Sequence, residues 1–243
     1  MHGLHADGET VSGVNDLVLV QGMKDTRVTL RRWNERPLLV LAPWMSLSLK
    51  VAVGLLGAVW LVAQLSGADS TLLEINGITR EVEAADYLRV LFRNSLVLTL
   101  HALACVAGFI AGSAMPLSAA NRSGLDRWVH EKAGRFAIAF VVCATTFSLV
   151  TQAYIIGGNA ATVASQLDIS PALLILGLLP HALPELVALF LPLAAWLIAS
   201  RSDRWEELLA ATVVTVSVAV PMLLVAVVVE MQVSPMLLEA LAR

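Results

Sequence analysis

Five apolar runs, each close to the length of a bilayer-crossing helix, restrict this chain more than any other feature. A helix needs about 20 apolar residues to cross a hydrocarbon core ~30 Å thick. Inside lipid, every backbone donor and acceptor must find its partner within such a helix or a closed barrel. Runs of this length predict an all-α integral membrane helical bundle with five transmembrane helices. The composition agrees, since 58% of the 243 residues are hydrophobic and 14% are charged, with a mean hydropathy of +0.77. Soluble domains carry about 25% charged residues.

The predicted spans are about 44–65, 94–115, 136–156, 172–199 and 208–229. Residues 1–37 read as a polar cytoplasmic leader and 38–243 as the membrane domain. The first apolar run begins near Leu38, too late for a cleavable signal peptide. Within the leader, Val14 to Val20 suits a short strand or an interfacial helix, and His2 and His5 read as solvated terminal residues. Gly54 and Gly57 thin one side of the first span, and Lys50 is expected to snorkel to the headgroups. In the connection 66–93, Asn76-Gly77 is a hairpin signal, followed from Glu83 by an amphipathic lead-in. Residues 116–135 read as a charged loop. Ser170-Pro171 reads as an N-cap and first-turn proline, and Asp203-x-x-Glu206 as a capping box. Met231 to Arg243 reads as a short interfacial helix. Cys105 and Cys143 fall in different spans and show no disulfide or zinc spacing.

The basic residues orient the bundle. With the N-terminus inside, eleven Lys and Arg fall on the cytoplasmic side and four on the other, with Lys50 left in the first span. This asymmetry predicts a multi-pass protein of a bacterial inner (plasma) membrane, N-terminus cytoplasmic and C-terminus outside. Trp44, Trp128, Trp196 and Trp205 are expected in the inner aromatic belt, and Trp60, Tyr87 and Tyr154 in the outer one.

One stretch departs from ordinary spanning helix: Leu179-Pro180-His181-Ala182-Leu183-Pro184-Glu185-Leu186. Pro180 and Pro184 each remove a backbone donor and crowd the carbonyl one turn earlier. The fourth span would run about 42 Å as continuous helix, longer than the core, so a break or kink at Pro180/Pro184 is expected. His181 and Glu185, four apart, share a helix face. A charge at the centre of a membrane helix costs about 2.5–3.5 kcal/mol on insertion scales. In the second span Asn94, His101, Cys105, Gly108 and Gly112 line one face, and Gly108-x-x-x-Gly112 permits close helix packing. Thr145, Ser148 and Gln152 form a stripe on the third span, and Glu230 ends the fifth.

Three readings of this polar set compete. His181, Glu185, His101 and Asn94 tie helices together in a non-enzymatic membrane protein. Alternatively, they line a small-solute or ion conduit, as polar residues at discontinuous helices do. In the third reading His181, Glu185 and His101 supply the three ligands of an intramembrane metallohydrolase, although no His-Glu-x-x-His or Gly-x-Ser-x-Gly motif accompanies them. The first is preferred, with no catalytic residue, no metal and no cofactor. The expected partners are the lipid bilayer, other membrane-complex subunits and further copies of the chain through small-residue faces, with no nucleic acid.

The stretch Pro180-His181-Ala182-Leu183-Pro184-Glu185-Leu186 is similar to the Pro-His-Gly-x-x-Glu-Leu signature of the stage II sporulation protein M family, and Phe92-Arg93-Asn94 and Asn121 also resemble that family's arrangement. Ala182 stands where the family typically has Gly. The resemblance spans roughly residues 85–230. It implies a polytopic membrane component of a complex which, in sporulating members, drives septal-wall degradation with hydrolase activities supplied by partners.

Overall fold

The computed structural model describes residues 22–119 and 122–243. The helices begin with residues 22–34 (α1), followed by Pro37–Leu65 (α2) and Ala84–Phe109 (α3). A π-helical turn, Ile110–Ala114, leads into Met115–Ala119 (α4), and then come Gly124–Gln166 (α5) and Pro171–Arg201 (α6). A 3₁₀ turn, Trp205–Glu207, opens Leu208–Leu241 (α7). Among the described residues five segments are long and apolar enough to cross a membrane: α2, α3 with its π turn, α5, α6, and α7 with its 3₁₀ turn. The protein is thus an all-α polytopic membrane protein, as its apolar runs predict. The expectations for His2, His5, Val14 to Val20 and Asn121 lie outside the described residues.

α6 is the core of the bundle, packed against α2, α3, α5 and α7. In its most apolar window 56% of residues are buried, against 6% in that of α5. Ser170 caps α6 as expected, its Oγ accepting the Leu173 N–H at 3.2 Å, with Pro171 in the first turn. The expected break at Pro180/Pro184 is absent: α6 is helical throughout, with Pro180, Pro184 and Pro192 inside it. Each proline forgoes one backbone bond, but membrane helices tolerate this where neighbouring helices enclose them, and α6 is the most enclosed of the five.

Other boundaries also move. α5 is a single 43-residue helix, so the expected loop 116–135 contributes its charged half to the first turns of α5. Arg122, just ahead of α5, pairs with Asp126, and Arg127 pairs with Glu131 one turn on within the helix. α5 also runs through Gly157-Gly158, because Gly157 is needed for close packing: a Cβ there would meet Val62 and the Val59 carbonyl of α2. The tail expected as a separate interfacial helix continues α7 to Leu241. The Asn76-Gly77 signal gives a turn with Gly77 at φ +79°, but only an isolated bridge between Asn76 and Arg80 and no strands. The turn is held by Gly77 N–H donating to the Arg80 carbonyl and packs on Pro235 of α7.

The expected capping box is not where the sequence suggests it. Asp203 does not cap the next helix; at φ +52° it accepts the Trp205 indole N–H at 3.0 Å. A reciprocal box forms instead at α3, between Glu83 and Asp86, with Asp86 also paired to Arg80 at 2.6 Å.

Part of the polar leader joins the fold. α1 lays Trp33 edge-on against Trp44 with ring centroids 5.3 Å apart, and Arg32 pairs with Glu207. The inner aromatic belt also needs correction. Trp44, Trp196 and Trp205 are 6%, 1% and 7% exposed, so they fill the interior. Trp128, Trp60 and Tyr154 do face outward.

Candidate functional site

The glycine seam on α3 shows how the helices around the polar centre are set. A Cβ on Gly108 would collide with the Trp196 indole, and one on Gly112 with the Trp205 ring. The two rings stand edge to face, with centroids 6.4 Å apart. Gly108 and Gly112 therefore do serve close packing, but they receive indoles from the same chain. Gly112 lies in the π turn, where one residue is accommodated by widening the helix. Gly54 and Gly57 have nothing within 4 Å of a notional Cβ.

Above this seam α3 is tied to α6. His101 Nδ1 lies 2.6 Å from the Leu189 carbonyl; since a carbonyl only accepts, Nδ1 carries the proton and donates. The Cys105 thiol donates to the Pro192 carbonyl at 3.3 Å. Cys105 and Cys143 are both free thiols. His101 also lies 5.8 Å from the ring of Phe190.

His181, 8% exposed, ties α6 to α7 instead. Its Nδ1 lies 2.6 Å from Ser234 Oγ, and the Ser234 hydroxyl donates onward to the Val229 carbonyl at 3.4 Å. The short His181–Ser234 bond links α6 to α7 whichever of the two groups carries the proton. Ala182 lies in regular helix and is not among the positive-φ residues, so alanine meets no backbone obstacle in place of glycine.

Two cavities flank Glu185. One, of about 330 Å³, is lined by Asn94 and His101 of α3, Thr145, Ser148 and Gln152 of α5, and Leu189 of α6. The other, of about 200 Å³, is lined by His181 and Ala182 of α6, Glu230 of α7 and apolar residues of α2 and α5. They share Arg93, Ile156, Glu185 and Leu186. His101 and His181 thus face different cavities with Glu185 between them. The three-ligand arrangement is not assembled, and among the described residues no group of three His, Cys, Asp or Glu side chains is placed to hold a metal ion.

Two residues here were not among the expected site residues, although Arg93 belongs to the Phe92-Arg93-Asn94 stretch that resembles the family's arrangement. Arg93, exposed at the rim of both cavities, reads in sequence as one charge of an amphipathic lead-in. Its signal was adjacency to Asn94 in a span otherwise poor in charge. Ser234 lies in a stretch that reads as interfacial tail, but it falls four residues after Glu230 and so on the same helical face. The stripe Thr145, Ser148 and Gln152, which reads as helix glue, lines a cavity wall, with Gln152 Nε2 donating to Ser148 Oγ at 3.1 Å within its own helix.

A bundle of five spanning helices with its polar groups gathered between α3, α6 and α7 is a polytopic membrane protein. Residues 133–235 match the family model described as Stage II sporulation protein M, which bears out the resemblance carried by Pro180 to Leu186. No match was found among curated proteins or among solved structures.

Proposed function

We propose that this protein is a non-enzymatic subunit or scaffold of a membrane complex, in a bacterial inner membrane with the N-terminus cytoplasmic and the C-terminus outside. The observation that carries the reading is that both membrane histidines are engaged between helices, His101 with Leu189 and His181 with Ser234. In this reading Asn94, His101, His181 and Glu185 hold the helices in register, with Pro180 and Pro184 between them. The family match supports a role beside partner proteins.

The surface offered to partners is the outer side of α5. Phe140, Phe147 and Tyr154 are each more than 70% exposed there, at 73%, 75% and 73%. At 43 residues the helix is about 64 Å long, well beyond the ~30 Å hydrocarbon core. For self-association through small residues, the spanning helices leave Gly54 and Gly57 of α2 and Gly158 of α5 open, whereas Gly108 and Gly112 are filled by Trp196 and Trp205.

The test places a photo-crosslinking residue at Phe147 or Tyr154 of α5, and at buried Leu191 of α6 as control, in native membranes. Discrete protein adducts from the α5 positions alone are expected. Adducts from neither position, together with a lone chain on native electrophoresis, would overturn the reading. Solute or ion flux through vesicles reconstituted with the protein alone would favour a conduit instead.

A further inference from the structure

The two cavities meet where the charges of the bundle do not balance. Arg93 supplies one positive charge, and Glu185 and Glu230 supply two negative ones. Arg93 and Glu185 line both cavities, and Glu230 lines the smaller one. None of the salt bridges among the described residues involves any of the three, so they face one another across space. The other titratable groups facing the cavities are His181 and His101, each held by a hydrogen bond through Nδ1.

Two buried polar atoms here lack a completed bond. Glu230 Oε2 has no hydrogen-bond partner. Asn94, 2% exposed, is turned toward the Glu185 carboxylate, yet its Nδ2 completes no bond of good geometry. Unsatisfied polar groups are costly in a membrane interior, and a carboxylate oxygen without a donor calls for one from outside.

We propose that the paired cavities bind a monovalent organic ammonium, with its cationic head between Glu185 and Glu230 and its apolar portion against Val59, Leu178 and Leu186. An ammonium brings three donors and no acceptor, which suits two carboxylates and offsets the surplus negative charge. An anion would meet two carboxylates for one Arg. A bare metal ion would find too few ligands: among the described residues no three His, Cys, Asp or Glu side chains are placed to hold one, and apart from Arg93 and His181 the remaining wall of the smaller cavity is apolar. The cavity volumes of about 200 and 330 Å³ suit a small amphiphile. The inference is independent of the complex-subunit reading.

The experiment titrates the purified full chain, in nanodiscs of phosphatidylglycerol, with hexylammonium and with 1-hexanol by calorimetry. Hexylammonium is expected to bind at least about tenfold more tightly than hexanol, and Glu185→Gln and Glu230→Gln each to lose about tenfold or more, while Glu239→Gln at the exposed end of α7 loses nothing. Equal binding of the alcohol, or unchanged binding in Glu230→Gln, overturns the proposal. So does an infrared band of a protonated carboxyl that Glu230→Gln removes and hexylammonium does not, because a proton then fills the site. If a Gln variant fails to fold, Ala182→Phe fills the smaller cavity without altering a charge; retained binding there overturns the proposal. Competition by added phosphatidylethanolamine assigns the ammonium to a lipid headgroup, and its absence assigns it to a free amine; both support the site.

Discussion

α5 and α6 follow one another in the chain, and both are long and apolar enough to cross a membrane, yet 6% of one apolar window is buried and 56% of the other. Their polar groups differ in the same sense. On α5 most close on the helix itself: Gln152 on Ser148, Thr162 on the Gly158 carbonyl, Arg127 on Glu131. On α6 they reach outward, with His181 bonded to α7 and the Leu189 and Pro192 carbonyls taking bonds from α3. Hydropathy selects the membrane for both helices. What separates centre from periphery is whether polar groups and small residues have matching partners on another helix.

The strongest test of this contrast is packing. Leu191 of α6 is fully buried, and Phe147 of α5 is 75% exposed. Leu191→Ala is expected to lower stability by about 2–5 kcal/mol, and Phe147→Ala by less than about 0.5 kcal/mol, measured by denaturant unfolding in detergent micelles. Comparable losses would mean that α5 is packed in the isolated chain. The glycines come next. Gly108→Leu drives a side chain into the Trp196 indole, while Gly158→Leu on α5 meets open space. The first is expected to cost about 1–3 kcal/mol, with near-zero change for the second in the same assay.

Part of the contrast between α5 and α6 is legible in the sequence. The number of spans and the start of α6 at Ser170-Pro171 were legible, because length and caps are local; Asn94, His101, His181 and Glu185 could be picked out as polar residues on helix faces, but not their division between two cavities. The break in α6 was misread, because a proline's cost depends on neighbours that sequence does not position. The lengths of α5 and α7 were misread because charged or glycine-containing turns look like loops until a partner such as Val62 is placed against Gly157. The packing role of Gly108 and Gly112 was legible, but their partners were not: Trp196 and Trp205 read equally well as belt residues. The two cavities depend on five helices at once and had no sequence signal beyond their separate polar residues.

The interhelical bonds offer a smaller effect. A double-mutant cycle of His181→Ala with Ser234→Ala is expected to give a coupling of about 0.6 kcal/mol, with an upper bound near 1.7. Gln152→Ala with Ser148→Ala, within α5, is expected to change stability without linking helices. The two can be separated by placing spin labels on α6 and α7, whose distance distribution should broaden only in the His181 and Ser234 variants. A broadened distribution in the Gln152 variant would show that the α5 stripe holds the cavity wall as firmly as α6 does.

The smallest effect lies at the charged start of α5. Arg127 and Glu131 pair at 2.7 Å, with side chains 57% and 43% exposed. Such pairs contribute about 0.3–0.5 kcal/mol and weaken with salt. Glu131→Gln should therefore shift stability by no more than that, and the shift should vanish at high ionic strength. A larger, salt-resistant loss would require these charges to be shielded from water. In the isolated chain they are not, so a difference seen only in native membranes would place a partner over the first turns of α5, and would explain why this helix satisfies its polar groups internally while leaving its apolar face open.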